Sequence, residues 1–421
     1  MKSKKIALIV LLSVNILCYS QEKIVELPLT IQNGYGPFNM GINGMRTVSE
    51  NDENPWLNTY QKISSLPKGL TDMKYGFIET DFRQSLYQDY LLGYSDIDLG
   101  HDTLNLSKTP LKTKIYFAFG KNSEGIIKVA VDANNNSDLS DDALFTPIEM
   151  SSASISDVSL AQAHAVNVTF ETFINNKIVP VSVPLYILYN SHGNMCVYNF
   201  PQYATTQFKG TQISVSSRNF SNLSYAEIEL ALDLKNGEKV KREDILRKNE
   251  FLEIEDEIYK IIGVNTNNNT LVLEKVDLPK NQLFSTQIGY KTHPFQEEEF
   301  TKKTVISLED FKGKYVLLDF WAEWCAPCIA KLPHLKELYS KTDRTKFEII
   351  GIAAHSTPNG IKRLIEQHEI GWSQILSNDI VGMYGITSFP TTILLDTEGI
   401  IVAKNMSGKE LEEKILSLIR D

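Results

Sequence analysis

Cys325 and Cys328 carry the clearest chemistry in this sequence, within Asp319-Phe320-Trp321-Ala322-Glu323-Trp324-Cys325-Ala326-Pro327-Cys328. Thiols at this spacing cycle between a dithiol and a disulfide by exchange through a mixed disulfide. The same spacing makes half of a zinc site, but zinc takes four ligands. No second pair is offered: Cys196 is isolated, and His334 and His355 have no partner signature. Redox chemistry is therefore the better account of the pair.

Local order supports it. Residues 314–321 form a near-continuous apolar run, as in a strand buried on both faces. Residues 328–340 show helical apolar spacing through Ile329, Leu332, Leu335 and Leu338. Cys325 then falls at a helix N-terminus, where free N–H groups and the helix dipole stabilise a thiolate. That makes Cys325 the attacking nucleophile and Cys328, one turn inward, the resolving thiol. Pro327 suits the first helical turn, where its missing N–H costs nothing. Asp319 interrupts the strand core. Burial raises the pKa of such a carboxyl, so it could take the proton of Cys328; the alternative is a hydrogen-bonded structural Asp. In Phe389-Pro390-Thr391, Pro390 precedes a strand, where either a cis bond in a tight turn or an ordinary trans loop proline fits.

The elements needed to hold these groups follow in order. Residues 347–354 read as a second buried strand and 359–367 as a helix after Pro358. Residues 391–396 and 400–404 form a hairpin, and 409–419 close as an amphipathic helix. The region 286–421 is thus α/β, a mixed central sheet with helices on both faces. The region 21–285 is β-rich, either a sandwich or two small β units. Strands are expected at 113–120, 126–131, 165–170, 179–188 and 228–234, a helix at 82–92, and two strands across 250–273.

The run from Lys312 to Pro333, KGKYVLLDFWAEWCAPCIAKLP, resembles the exported TlpA/ResA-type branch of the thioredoxin superfamily. So do YGITSFPTTILL, from Tyr384, and DTEGII, from Asp396. The resemblance covers about 286–421. It implies a thioredoxin-like fold, with Cys325 as nucleophile, Cys328 as resolving thiol and Asp319 as buried acid. Trp321 and Trp324 would flank the site. Pro390 would be a cis-proline beside the dithiol, with the Phe389 backbone pairing with substrate. It further implies protein thiols and disulfides as partners, a reductase direction, and electrons from a membrane-linked donor. The branch commonly has Glu three residues after its second cysteine; here Lys331 stands there, expected as a solvated helix residue, leaving Asp319 to act alone. Peroxiredoxins share the fold, but their nucleophile pattern is absent.

Residues 1–20 read as a signal peptide: Lys2, Lys4 and Lys5 precede a short apolar stretch and a Ser20-Gln21 junction. This implies export to the periplasm or cell envelope. Cys18 admits lipoprotein anchoring, though Asn15-Ile16-Leu17 lacks the small residue that such processing needs. The net charge of −10 argues against nucleic acid. No cofactor beyond the Cys325–Cys328 pair is required. In the β-rich region, Asp132, Asn134, Asn136, Asp138 and Asp142 could converge on calcium. An Asn/Asp-rich turn uses the same residues for its own backbone. Cys196, in a strand-like stretch, reads as a buried inert thiol. A second function class stays open: an envelope binding protein whose β region takes glycan or peptide, with the redox domain auxiliary.

Overall fold

A computed structural model describes residues 23–48, 63–91, 103, 105–155, 157–232 and 238–420. The expected signal segment 1–20, with Cys18, lies outside the described residues.

The carboxy-terminal sheet has five strands in the order Ser373–Leu376, Phe347–Ala353, Tyr315–Trp321, Thr391–Leu395, Ile401–Lys404. The first three run parallel, and the last two pair antiparallel. The central strand Tyr315–Trp321 is bonded on both sides and covered on both faces, so its sequence runs apolar without alternating. Side chains still alternate between faces. Leu317 and Trp321 pack with Cys325, Cys328, Leu332 and Leu335. Val316, Leu318 and Phe320 pack on the other side with Ile350, Ile380 and Tyr384. Helices Ala326–Lys341, Pro358–His368 and Gly408–Ile419 cover the first face, and Asn378–Met383 the second. Seven of these nine elements match the sequence expectations to within two residues; Ser373–Leu376 and Asn378–Met383 were not expected.

The amino-terminal region is β-rich. A four-stranded sheet (Arg46–Val48, Thr71–Glu79, Lys114–Lys121, Ile127–Val131) packs on a sheet built around the long strand Lys177–Asn190. Phe117, Phe119 and Val129 meet Leu185, Ile187 and Cys196 in that core. Cys196 is free and buried, and burial pushes its thiol up to about 12. A second core joins Ile213, Val215 and Leu230 to Leu252, Ile261 and Leu273 from another pair of sheets.

Residues 250–273 hold three strands rather than two: Phe251–Ile254, Glu257–Asn265 and Thr270–Val276. The missed turn is Glu255-Asp256, both at positive φ (50° and 63°), with Ile254 paired to Glu257. Two consecutive left-handed residues make a tight hairpin turn, a role that Asn-Gly would have announced and Glu-Asp does not. Between the two regions, Gly289 N–H donates to the Ile401 carbonyl and Ile401 N–H to the Tyr290 carbonyl, at 2.8 and 3.0 Å. Tyr290 in turn stacks on Phe251 at 5.0 Å. The connecting segment thereby fastens the edge strand Ile401–Lys404 to the amino-terminal β structure.

Candidate active site

Cys325 caps the helix Ala326–Lys341 from an extended backbone, and its Sγ accepts the Cys328 N–H at 3.3 Å. That contact is the local expression of the helix-terminal field that favours a thiolate. Pro327 occupies the first turn, as its lack of an N–H allows. The two sulfurs are joined as a disulfide, S–S 2.07 Å. Cys328 points inward among Leu332, Leu335 and Trp321.

The rim is aromatic. Trp324 is 62% exposed, its Nε1–H donating to the His355 carbonyl at 2.8 Å. Its ring meets Phe389 edge-on at 5.9 Å. Phe389 packs against the cluster that holds both cysteines and precedes Pro390 through a cis peptide bond. Trp321 lies inside instead, its Nε1–H donating to Gln374 Oε1 at 3.0 Å. Gln374 is seated by Glu299, whose Oε1 accepts the Gln374 N–H at 3.0 Å.

Glu323 is a residue whose role the sequence did not disclose. Its carboxylate accepts the Thr357 N–H at 2.7 Å and the Thr357 hydroxyl at 3.2 Å, at the N-terminus of Pro358–His368. An anion is stabilised there by the helix dipole. The approach is close: a Cβ on Gly360 would lie 1.2 Å from Glu323 Oε2 and would displace the carboxylate. This clamp holds the loop that presents Trp324 and Cys325.

Asp319 sits in the core, paired in register with Gly351 and Thr392. Lys331 does not point to solvent. Its Nζ ion-pairs with Asp319 Oδ1, with side chains 15% and 1% exposed. The expectation of a solvated Lys331, with Asp319 acting alone, is corrected accordingly. Burial holds the Asp319 carboxyl above the usual carboxylate range, and Lys331 offsets this only in part. The helical spacing of Cys328, Lys331 and Leu335 put all three on one face, the signal that could have placed this lysine inward.

Asp132, Asn134, Asn136, Asp138 and Asp142 lie apart from these residues in the sequence, on the loop after Ile127–Val131. Their oxygens take the loop's own donors. Asp132 accepts from Asn136 N–H and Ser137 N–H, both at 2.9 Å. Asn134 and Asn136 accept from the N–H two residues on, and Asp138 from Ser140. Asp142 Oδ1 accepts the Ala133 N–H at 3.2 Å, while Oδ2 is buried without a partner. Asn135 and Ser137 have positive φ, as such turns require. Among the described residues, no group of three or more His, Cys, Asp or Glu is arranged to hold a metal ion.

A dithiol pair at a helix N-terminus, on a mixed sheet with a cis-proline at its rim, defines a thioredoxin-type redox domain. Residues 288–404 match the AhpC/TSA family. The thiol-disulfide oxidoreductase ResA of Bacillus cereus is 33% identical over 131 residues, 31% of this chain and 75% of that protein. ResA of Bacillus thuringiensis subsp. konkukian is 33% identical over 112 residues, 26% of this chain, and the chain spans 64% of that relative's length. A crystal structure of the thioredoxin domain of a Bacteroides vulgatus thiol-disulfide oxidoreductase is 33% identical, covering 31% of this chain and 97% of that one, with a TM-score of 0.30. Through its carboxy-terminal third, the chain belongs to the ResA-type family of thiol-disulfide oxidoreductases.

Proposed function

We propose that this protein is an exported thiol-disulfide oxidoreductase that reduces or exchanges disulfides of cell-envelope proteins. The observation that carries the reading is Cys325 at the helix N-terminus, bonded to Cys328 beneath the Trp324–Phe389 rim. In the reducing direction, the Cys325 thiolate attacks a substrate disulfide, forming a mixed disulfide and releasing one substrate thiolate. Cys328 then gives up its proton, the resulting thiolate attacks Cys325 Sγ, and the second substrate thiolate leaves. Two electrons pass to the substrate, and the Cys325–Cys328 disulfide forms. Asp319 receives the Cys328 proton. Trp324 and Phe389 line the substrate's approach, and the backbone before cis-Pro390 pairs with it. Relatives named for this activity support the reading. Outside the cytoplasm no thiol pool recharges the pair, so a membrane-linked donor supplies the electrons.

The test is insulin-disulfide reduction by the full chain with a chemical reductant. Cys325→Ser is expected to abolish turnover, and Cys328→Ser to accumulate the mixed disulfide. Full turnover by Cys325→Ser ends the proposal.

A further inference from the structure

A side chain of the amino-terminal region reaches the rim of the redox site. Arg242 Nη2 donates to Ser388 Oγ at 2.9 Å, and Ser388 directly precedes Phe389 and the cis peptide bond to Pro390. The turn that carries this arginine, Arg242–Asp244, is fixed within its own region from both ends. Before it, Val240 is buried in one cluster with Tyr35 and Phe38, its N–H donating to the Pro37 carbonyl at 2.8 Å. Lys239 Nζ donates to the Gly36 and Phe38 carbonyls at 3.0 and 2.6 Å. After it, Leu246 and Arg247 pair with Leu230 and Glu229. The two regions are also joined elsewhere. The Gln287 side-chain amide accepts the Phe251 N–H and donates to the Phe251 carbonyl, each at 2.7 Å, beside the bonds of Gly289 and Tyr290 to Ile401. Arg242 is thus held at the rim by a braced scaffold.

Its charge is not taken up there. Burial raises the Glu229 carboxyl, and Arg247, Arg218 and Arg242 oppose this. Arg247 Nη2 lies 3.7 Å from Glu229, and Arg218 Nη1 lies 2.9 Å from Glu227. Arg242 makes no salt bridge among the described residues; its side chain bonds the neutral Ser388 hydroxyl. Its neighbours Lys241, Glu243 and Asp244 are exposed, as Arg242 is, and do not pair with it. A guanidinium offers five N–H donors in a planar fork that matches a carboxylate. Past Ser388 the rim is aromatic: Phe389, with Trp324 at 5.9 Å and the His355 ring at 6.2 Å. The Glu323 carboxylate next to Trp324 in the chain is already taken by Thr357.

We infer that Arg242 is a specificity-determining residue of the substrate groove, selecting protein disulfides that carry an acidic side chain beside the cysteine. This rests on the exchange reading above, in which substrate pairs with the backbone before Pro390. A substrate strand laid along that backbone passes Ser388 and comes within reach of the guanidinium bonded to it. Phe389 and Trp324 take the apolar contacts, and the Arg242 fork takes the carboxylate. The amino-terminal region thereby supplies selectivity, and the carboxy-terminal domain supplies the exchange.

The test is single-turnover reduction, by the reduced full chain, of two peptide disulfides identical but for Asp or Lys on either side of the cysteine. The wild-type protein should reduce the Asp peptide about three- to fivefold faster at subsaturating concentration, the scale of an exposed ion pair. Added salt should shrink that preference by screening it. Arg242→Ala should bring the two rates together, Arg242→Lys should keep the direction of the preference, and Arg242→Glu should invert it. The differences should lie in the concentration dependence rather than in the saturating rate. Arg242 is exposed, so these variants probe charge rather than folding. Equal rates for the two peptides in the wild-type protein overturn the inference, as does a preference that Arg242→Glu leaves in place. Failure of the exchange reading looks different, because Cys325→Ser would then reduce both peptides as fast as the wild-type protein does.

Discussion

In the carboxy-terminal sheet Lys331 and Asp319 make direct contact; in the amino-terminal sheet Lys114 Nζ and Glu79 Oε2 stand 3.9 Å apart, their side chains 9% and 17% exposed. Both are lysine–carboxylate pairs taken out of water. At Asp319 burial holds the carboxyl above its ordinary range, and the ammonium opposes this only in part. At Glu79 burial dominates and pushes the carboxyl up to about 8, while burial pushes Lys114 down to about 6. Near neutral pH the amino-terminal pair therefore favours its uncharged forms. Glu79 there meets the Thr113 and Ser85 side chains, and the Lys114 Nζ lies 4.8 Å from the centroid of the Phe77 ring. The two pairs thus differ in contact and not in the direction in which burial moves their carboxyls. One region sets its raised carboxyl in direct contact with an ammonium, and the other holds carboxyl and amine apart.

The sharpest way to break this contrast is to remove each lysine. Lys331→Met takes the ion-pair partner from a buried carboxyl and should cost up to about 3–5 kcal/mol of stability, less where the carboxyl takes a proton. Lys114→Met removes a group that is already largely neutral and should cost about 1 kcal/mol or less, since the chain already carries the burial there. Chemical denaturation at neutral pH measures both. Equal losses would mean that the amino-terminal pair is ionised after all.

A smaller effect separates the pairs by pH. Glu79 titrates above its unfolded value, so the stability it contributes is whole below about pH 4.5 and is lost as pH rises through about 8. Lys114 titrates below its unfolded value, so its contribution is present above about pH 10.5 and is lost as pH falls through about 6. The two slopes oppose each other between about pH 6 and 8 and nearly cancel. Glu79→Gln should uncover the rising slope, making the protein more stable toward alkaline pH. Denaturation midpoints of the variant across pH 6 to 9, about one unit apart, read this directly. A flat series would show that the pair does not titrate as drawn.

How much of this could be read in the chain differs between the same two regions. The redox strand and helix were legible because burial on both faces leaves an uninterrupted apolar run at 315–321, and because Cys328, Leu332 and Leu335 keep helical spacing. The cis bond before Pro390 was legible only as one of two alternatives, since Pro390 alone does not choose between isomers. Lys331 was misread because a lysine on a helix is solvated by default, and its partner lies 12 positions away on a strand. Glu323 escaped for a related reason: its capping partner, Thr357, is 34 residues on. In the amino-terminal region, local alternation located strands such as Lys114–Lys121 and Ile127–Val131. It could not say which sheets stack, because that depends on pairings such as Thr30–Asn33 with Gln202–Phe208, far apart in sequence.

The Glu323 clamp offers the next test, confined to the catalytic side of the comparison. Gly360→Ala places a methyl group where the Glu323 carboxylate lies. The carboxylate must swing away and give up its bonds to Thr357, at about 1 kcal/mol for the lost hydrogen bonding. Because the clamped loop presents Trp324, its indole fluorescence should change along with exchange activity, while the amino-terminal β structure keeps its own melting behaviour. Unchanged fluorescence and activity would show that Glu323 caps the helix without holding the site.

The smallest expected effect lies at Asp142, in the loop that either binds calcium or holds itself. Burial first, then the nearby Asp132 charge, pushes its carboxyl up to about 6. Its contribution to stability is therefore whole below its unfolded value and is lost as pH rises through about 6. Asp142→Asn removes that loss. The side chain is only part-buried and solvent screens it, so the gain at neutral pH should be a few tenths of a kcal/mol, about the scale of an exposed charge interaction. Calcium separates the two accounts of the loop. A cation among these oxygens would favour the ionised carboxylate and would raise the melting temperature by mass action, and Asp142→Asn would weaken that rise. With Asp132, Asn134, Asn136 and Asp138 already accepting the loop's own N–H groups, the expected result is a melting temperature that calcium and chelator leave unchanged in both proteins. A calcium-dependent rise that the variant loses would instead make this loop a cation site.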